Sequence, residues 1–167
     1  MEHNFMLIPT VITNKLAITE IIECNKLTSQ YGLVLSQTEA QELVETREEA
    51  LSDNGRIEFA GGIINKIIFE FCDSPFLSQY NYASTLNELV ETFYYYKNET
   101  LDEISDDELI SLMKEYFDHS CQGSLDLLQN RELDTLARNI RYGVKNYADV
   151  SNDTEELCDK EYIDGQS

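Results

Sequence analysis

The sequence predicts an all-α fold, an irregular bundle of five to seven helices followed by an acidic, mobile C-terminal tail. Two observations predict the helices. The 167 residues include only two prolines and seven glycines, whereas strand-rich folds use both residues freely in their many tight turns. Over most of the chain, apolar residues recur every three or four positions, as they do on the buried face of a helix.

The first predicted helix runs from about Thr13 to Tyr31. It follows an apolar segment, residues 5–9, which we expect to be extended because the residue before a proline avoids the helical region. Gly32 supplies the end of the helix, since glycine readily adopts the left-handed conformation found there. The apolar positions at helical spacing are Leu16, Ile18, Ile21, Ile22, Leu27 and Tyr31.

The second predicted helix opens at a capping box, Ser36-Gln37-Thr38-Glu39. In this motif the serine hydroxyl accepts from the glutamate amide, and the glutamate side chain accepts from the serine amide. The helix ends near Asn54-Gly55, and acidic side chains fill one of its sides. The other side carries Ala40, Leu43, Val44, Arg47, Ala50 and Leu51.

A third helical stretch is expected over residues 57–71, with regular helix beginning after Gly61-Gly62. Its apolar stripe is rich enough to indicate a central helix: Ile63, Ile64, Ile67, Ile68 and Phe71. The next helix runs from Asn81 or Ser84 to Lys97. Its inward residues are Leu86, Leu89, Val90, Phe93 and Tyr94.

A second capping box, Ser105-Asp106-Asp107-Glu108, opens a helix that buries Leu109, Leu112, Met113, Tyr116 and Phe117. Residues 124–130 predict a short helix, after which Asn130 caps a last helix ending near Gly143. That helix turns Leu133, Leu136, Ala137 and Ile140 inward. Beyond about residue 144 the periodicity disappears. We therefore expect a helical domain over residues 1–145 and an acidic flexible tail over 146–167.

The charge balance constrains the partners. There are 12 lysines and arginines against 32 aspartates and glutamates, a formal net charge of −20. This charge repels nucleic-acid phosphates and anionic membrane surfaces, so neither is an expected partner. It favours cationic partners, or simply high solubility.

We expect a cytoplasmic protein. Residues 1–10 lack the basic and long apolar segments of a signal peptide, and no apolar run approaches the ~20 residues of a membrane span. In a reducing compartment the thiols remain free. They belong to Cys24, Cys72, Cys121 and Cys158.

Several segments resemble a domain-of-unknown-function family of small acidic proteins from Gram-positive anaerobic bacteria. They are residues 43–47, 55–64, 71–75, 93–99 and 121–125, which read LVETR, GRIEFAGGII, FCDSP, FYYYKNE and CQGSL. The resemblance covers residues 1–145. It implies a bacterial, intracellular setting and no particular activity, ligand or site.

The residue pattern predicts no catalytic, metal or cofactor site. Asp118-His119-Ser120-Cys121 gathers suitable groups, but near neighbours on a helix point in different directions. A zinc site would need distant ligands such as Cys72 or His3. A di-iron bundle requires Glu-x-x-His on two helices, whereas Glu115 and His119 are four apart and no second internal histidine exists.

Three regions are candidates for binding. Gly61-Gly62 before a helix could expose amides to an anion, assisted by Arg56 and Lys66, in a ligand pocket that also includes Cys72. Close helix packing or a flexible joint is the alternative use of the two glycines. Basic residues at helical spacing, Arg131, Arg138, Arg141 and Lys145, could dock an acidic partner or pair with the chain's own acids. Tyr95 and Tyr96 could likewise contact a partner or pack in the core.

The leading hypothesis is therefore a non-catalytic, cytoplasmic module that binds or regulates another protein. The alternative is a small-ligand protein or enzyme, with a pocket near Arg56, Gly61, Gly62 and Cys72 or a site at His119 and Cys121. A third hypothesis is an acidic mimic of nucleic acid. The sequence predicts neither the partner's identity nor an oligomeric state.

Overall fold

The computed structural model describes residues 14–58 and 60–143, and within them all regular structure is helical, which confirms the all-α prediction. The helices are α1 (residues 14–23), α2 (Asn25–Thr28), α3 (Gln37–Asp53), α4 (Gly62–Phe71), α5 (Tyr82–Glu99), α6 (Asp106–Asp118), α7 (Leu125–Leu127) and α8 (Leu133–Arg141). A 3-10 turn, Ser29–Tyr31, follows α2, and a π-helical turn, Leu128–Glu132, joins α7 to α8. The predicted tail, residues 146–167, and the predicted extended segment lie outside the described residues.

The first predicted helix is divided, because the regular helix stops at Cys24 and resumes as α2. Its buried stripe also differs from the prediction: Ala17, Ile21, Cys24 and Thr28 are buried, while Leu16, Leu27 and Tyr31 are exposed. Three of these four buried side chains, Ala17, Cys24 and Thr28, are small, so the size of a side chain is a poor guide to its burial here. Gly32 ends the segment in the left-handed conformation, as predicted.

The second and third predicted helices agree closely with the structure. The Ser36–Glu39 capping box is complete, with the Glu39 amide 3.1 Å from Ser36 Oγ and the Ser36 amide 2.9 Å from Glu39 Oε1. α3 ends at Asp53, and every predicted apolar residue of α4 is buried. The predicted inward residues of α5 are buried as well.

The longest of these helices, α5, lies at the centre of the bundle and contacts α3, α4, α6 and α8, while α4 also packs against α6. Ser105 caps α6 by accepting from the Glu108 amide at 3.2 Å. Among the described residues, no helix is long and apolar enough to cross a membrane.

The C-terminal segment corrects one prediction. Asn130 does not cap a separate helix, because α7, the π-helical turn and α8 follow one another without a break. A π-helical turn repeats at five residues rather than four. It therefore lets Leu128 and Leu133, which are five apart, both be buried. The predicted inward residues of α8 are buried.

Candidate functional site

The predicted ligand pocket corresponds in part to a cavity of about 400 Å³ beside α3, α4 and α5, here called the compensated cavity. Arg56 and Gly62 line it, together with charged groups at Glu58, Lys66, Lys97 and Asp106. Neither Gly61 nor Cys72 lines it, since Cys72 follows the far end of α4. The structure thus brings together two of the four predicted pocket residues.

Each cationic side chain lining the compensated cavity has an acidic partner. Arg56 Nη2 lies 2.7 Å from Asp102 Oδ1, and Lys66 Nζ lies 2.7 Å from Asp107 Oδ1. Lys97 Nζ lies 2.8 Å from Asp106 Oδ1. These pairs leave little positive charge for an external anion.

The amides at the start of α4 also have internal partners. The Gly61 amide donates to Glu20 Oε2 at 2.7 Å, and the Ile63 amide donates to Glu58 Oε1 at 2.7 Å. Gly62 has a φ of 44°, in the region that favours glycine, and an added Cβ would also meet the Glu58 carboxylate. The anion site predicted at Gly61-Gly62 is therefore occupied by the chain's own carboxylates.

A buried guanidinium and a buried phenol complete this region. Arg47 is fully buried, donates to the Ala60 carbonyl and lies 3.7 Å from Glu58 Oε1. The Tyr94 hydroxyl donates to the same Glu58 carboxylate. Burial, followed by this carboxylate, raises the pKa of Tyr94 far above its ordinary value. The arrangement holds three segments of chain together.

The structure separates the two groups of the predicted His119/Cys121 site. His119 is exposed, with Nε2 3.6 Å from Glu115 Oε2, whereas Cys121 is buried. Burial raises the pKa of the Cys121 thiol, which disfavours the nucleophilic thiolate. Over residues 14–58 and 60–143, no group of three histidine, cysteine or acidic side chains could hold a metal ion.

The predicted arginine stripe makes internal contacts. Arg131 pairs with Glu132 at 2.9 Å and also donates to the Ser120 carbonyl. Arg138 pairs with Asp134, and Arg141 with Glu99. These contacts match the alternative in which the stripe pairs with the chain's own acids. Lys145 lies outside the described residues.

The larger cavity, about 730 Å³ in volume, is a half-open groove that we call the acidic groove. Its floor is the face of α5 opposite the compensated cavity, and its walls are α3 and the segment from the π-helical turn into α8. Four carboxylates line it, and no cationic side chain does: Glu49, Asp53, Glu91 and Asp134. The other lining residues are Thr46, Ala50, Asn54, Thr92, Tyr95, Tyr96, Gln129 and Asn130.

The carboxylates of the groove are poorly compensated. Asp134 pairs with Arg138 at the rim. The side chains of Glu49, Asp53 and Glu91 make no hydrogen bond or ion pair with another described residue and are exposed. A concave surface lined by one sign of charge concentrates the field and attracts the opposite charge.

The two adjacent tyrosines have different roles in the groove. Tyr96 is 5% exposed, and its hydroxyl donates to the Gln129 carbonyl, which ties α5 to the π-helical turn. Burial, then the nearby Asp134 carboxylate, raises the pKa of Tyr96 to about 12. Tyr95 is 57% exposed, and its ring meets that of Tyr96 edge-on at 4.9 Å. Of the two predicted contact residues, Tyr95 offers the free aromatic face.

Further polar contacts fix the walls of the groove. Thr46 Oγ1 on α3 lies 2.6 Å from Asn87 Oδ1 on α5, and Gln129 Nε2 donates to Thr92 Oγ1 at 2.8 Å. Both walls are therefore tied to the floor, so the shape of the groove is largely formed before any ligand binds.

The comparisons with known proteins find a family but no activity. Residues 20–146 match the sequence model of one protein family, DUF6323, which is described as a family of unknown function. No curated protein and no solved structure matches the chain.

Proposed function

We propose a function for this chain, which belongs to the DUF6323 family of unknown function: it is a non-catalytic interaction module that binds a positively charged segment of another protein in the acidic groove. One observation carries the proposal. Three carboxylates that have no partner among the described residues, Glu49, Asp53 and Glu91, converge on a preformed groove of about 730 Å³. A lysine or arginine bound there would supply the positive charge that no described residue lining the groove supplies.

The contrast with the rest of the described chain supports this proposal. The other cavity has its cations paired, and the buried thiols have raised pKa values that disfavour nucleophilic chemistry. For Cys24, burial raises the pKa to about 11. A bacterial, cytoplasmic setting is part of the proposal and rests on the sequence resemblance alone.

The test is a binding measurement with a defined probe. Fluorescence anisotropy would follow a fluorescein-labelled peptide of lysine and alanine on titration with the full chain. The groove variant Glu49→Gln/Asp53→Asn/Glu91→Gln removes three charges from the groove. The control variant Glu42→Gln/Glu70→Gln/Glu103→Gln removes the same charge from exposed carboxylates outside it.

We expect the groove variant to raise Kd at least tenfold, a loss of about 1.4 kcal/mol, since each exposed ion pair contributes roughly 0.2–1 kcal/mol. The control variant should raise Kd less than threefold. Equal losses in the two variants would mean that the peptide responds to overall charge alone, and the proposed function would then be wrong.

A further inference from the structure

We propose that a second copy of this chain packs against the exposed apolar side of α1 and α2, which gives a weak dimer with two-fold symmetry. This interface is separate from the acidic groove, and it does not depend on the function proposed for the groove. The proposal uses an apolar surface that the chain leaves exposed, the scarcity of acids around that surface, and the charges at its edge.

The segment from α1 through the 3-10 turn has two apolar sides. One side, which includes Ala17 and Ile21, is buried in the core. On the other side, Leu16 is 50% exposed, Leu27 42% and Tyr31 50%. These positions recur after eleven and four residues, which is helical spacing, so they form one stripe. A helix that is apolar all round is normally buried all round, whereas the described part of the chain buries one side.

The loop before α5 extends this stripe. The Gln79 side chain donates to the Val34 carbonyl and accepts from the Val34 amide, both at 2.8 Å, which fixes the loop beside the segment that follows α2. Val34 is 42% exposed, and Tyr80, the next residue after Gln79, is fully exposed. We call the combined surface the apolar face, and its members are Leu16, Leu27, Tyr31, Val34 and Tyr80.

The apolar face lies in an acid-free part of a very acidic chain. The formal net charge is −20, yet residues 24–38 and 74–87 contain no aspartate or glutamate. The two hydrogen bonds of Gln79 bring these stretches together. Two copies of so acidic a chain repel each other over most of their surfaces. At the apolar face a second copy approaches with less repulsion and buries apolar side chains.

The charges at the edge of the apolar face are self-complementary. Over the described residues, every arginine and lysine except Lys15 and Lys26 pairs with an acid. Lys26 and Glu23 are exposed, and neither forms an ion pair with a described residue. A two-fold interface brings one surface against itself, so Glu23 of each copy can pair with Lys26 of the other. The same antiparallel alignment brings Leu16 of one copy near Tyr31 of the other.

The size of the apolar face predicts weak association. A fully exposed tyrosine such as Tyr80 offers roughly 150–250 Å², and the whole face offers on the order of 500 Å². Two such faces would bury about 1,000 Å², which is the size of weak, transient interfaces and less than the ~1,600 Å² of stable ones. We therefore expect a dissociation constant on the order of 0.1 mM.

Sedimentation equilibrium of the full chain at rising concentration tests the proposal. The average mass should rise from that of one chain towards that of two, and further at high salt, because salt screens the repulsion between acidic chains. Tyr80→Glu should weaken association at least tenfold. The control Tyr142→Glu adds the same charge at a tyrosine that is 85% exposed outside the face, and it should weaken association less than threefold.

Charge reversal tests the reciprocal pair. Glu23→Lys makes the chain less acidic but places two lysines opposite each other, so it should weaken association about threefold. Glu103→Lys makes the same charge change at an exposed position past the far end of α5, and it should not weaken association. The double variant Glu23→Lys/Lys26→Glu restores opposite charges and should associate within about twofold of the unmodified chain.

The mass of a single chain at every concentration, at low and at high salt, would overturn the proposal. Equal weakening by Tyr80→Glu and Tyr142→Glu would also overturn it, because the dimer would then form through another surface. If Glu23→Lys strengthens association as Glu103→Lys does, or the double variant fails to restore it, the two-fold arrangement is wrong.

Discussion

The two cavities lie on opposite faces of α5 and differ in how their charges are compensated. In the compensated cavity, Arg56, Lys66 and Lys97 each contact an aspartate within 2.8 Å. In the acidic groove, three of four carboxylates have no partner among the described residues. Both cavities include residues of α3 and α5, so the same pair of helices supports both arrangements.

The difference shows how a chain of charge −20 can use its few cations. Where a cation sits beside acids, the charges hold loops and helices together. Where acids line a concave surface without a cation, self-repulsion acts against the fold, and a cationic partner would relieve it. We therefore expect substitutions in the compensated cavity and its buried neighbours to change stability, and substitutions in the groove to change binding.

The largest effect is expected at the buried guanidinium. Arg47→Ala leaves the Ala60 carbonyl without its donor and the Glu58 carboxylate without its counter-ion, and it creates a void. The free energy of unfolding should fall by about 3–5 kcal/mol. Urea unfolding measures this free energy. The control is Glu49→Ala in the groove, whose free energy of unfolding should lie within about 0.5 kcal/mol of that of the unmodified chain. A loss below 1 kcal/mol for Arg47→Ala would contradict the role assigned to it.

A matched pair of neighbouring tyrosines sharpens the contrast. Tyr94→Phe removes the hydroxyl that donates to Glu58 and should cost about 1.5–3 kcal/mol, the range for a hydrogen bond to a charged group. Tyr95→Phe changes an exposed ring and should cost less than about 0.5 kcal/mol. Thermal unfolding of both variants under one condition tests this. Similar losses of stability in the two variants would mean that both sides of α5 contribute equally to the stability of the fold, against the contrast drawn here.

Alkaline pH should destabilise the fold through buried tyrosines. Burial raises the pKa of Tyr82 and of Tyr96 to about 12, from an ordinary 10.0. Their contribution to stability is complete below pH 10 and is lost as pH rises towards 12, because only the unfolded chain releases the protons readily. At pH 11 the loss should be on the order of 1 kcal/mol for each tyrosine. Urea unfolding at pH 8 and pH 11 measures this loss of stability. In the Tyr82→Phe variant, the part of the loss that is due to Tyr82 should disappear.

The smallest stability effect is expected in the groove. The groove variant removes like charges such as Glu49 and Asp53, four residues apart on one helix, and should raise stability by a few tenths of a kcal/mol. High salt should give the unmodified chain a similar gain, because salt screens exposed charges. Melting temperatures at low and high salt test this. A clear loss of stability would show that these carboxylates hold the fold together instead.

The fold could be predicted from sequence where apolar side chains are large and periodic. The stripes of α4 and α5, the capping box at Ser36 and the N-cap hydrogen bond at Ser105 appear in the structure as predicted. The first helix was harder to predict, because its buried positions include the small Ala17 and Thr28. Such residues carry little hydrophobic signal, and tertiary contacts decide which of them are buried.

The acidic groove could not be predicted from sequence. Its carboxylates come from positions 49, 53, 91 and 134, which only the packing of α3 and α8 against α5 brings together. Four of 32 acidic residues do not stand out by composition. The run of aromatic residues did single out Tyr95, but its orientation depends on which face of α5 meets α3.

The π-helical turn has a consequence for how this protein tolerates insertions and deletions. Leu128 and Leu133 both reach the core because the turn holds one residue more than an α-helical turn. Deleting Asn130 would restore an ordinary helix and rotate everything after it by about 100° relative to α7. Gln129 would lose its place in the groove, or Leu136 and Ile140 would leave the interior. Changes of chain length in this segment should therefore disturb groove and core together.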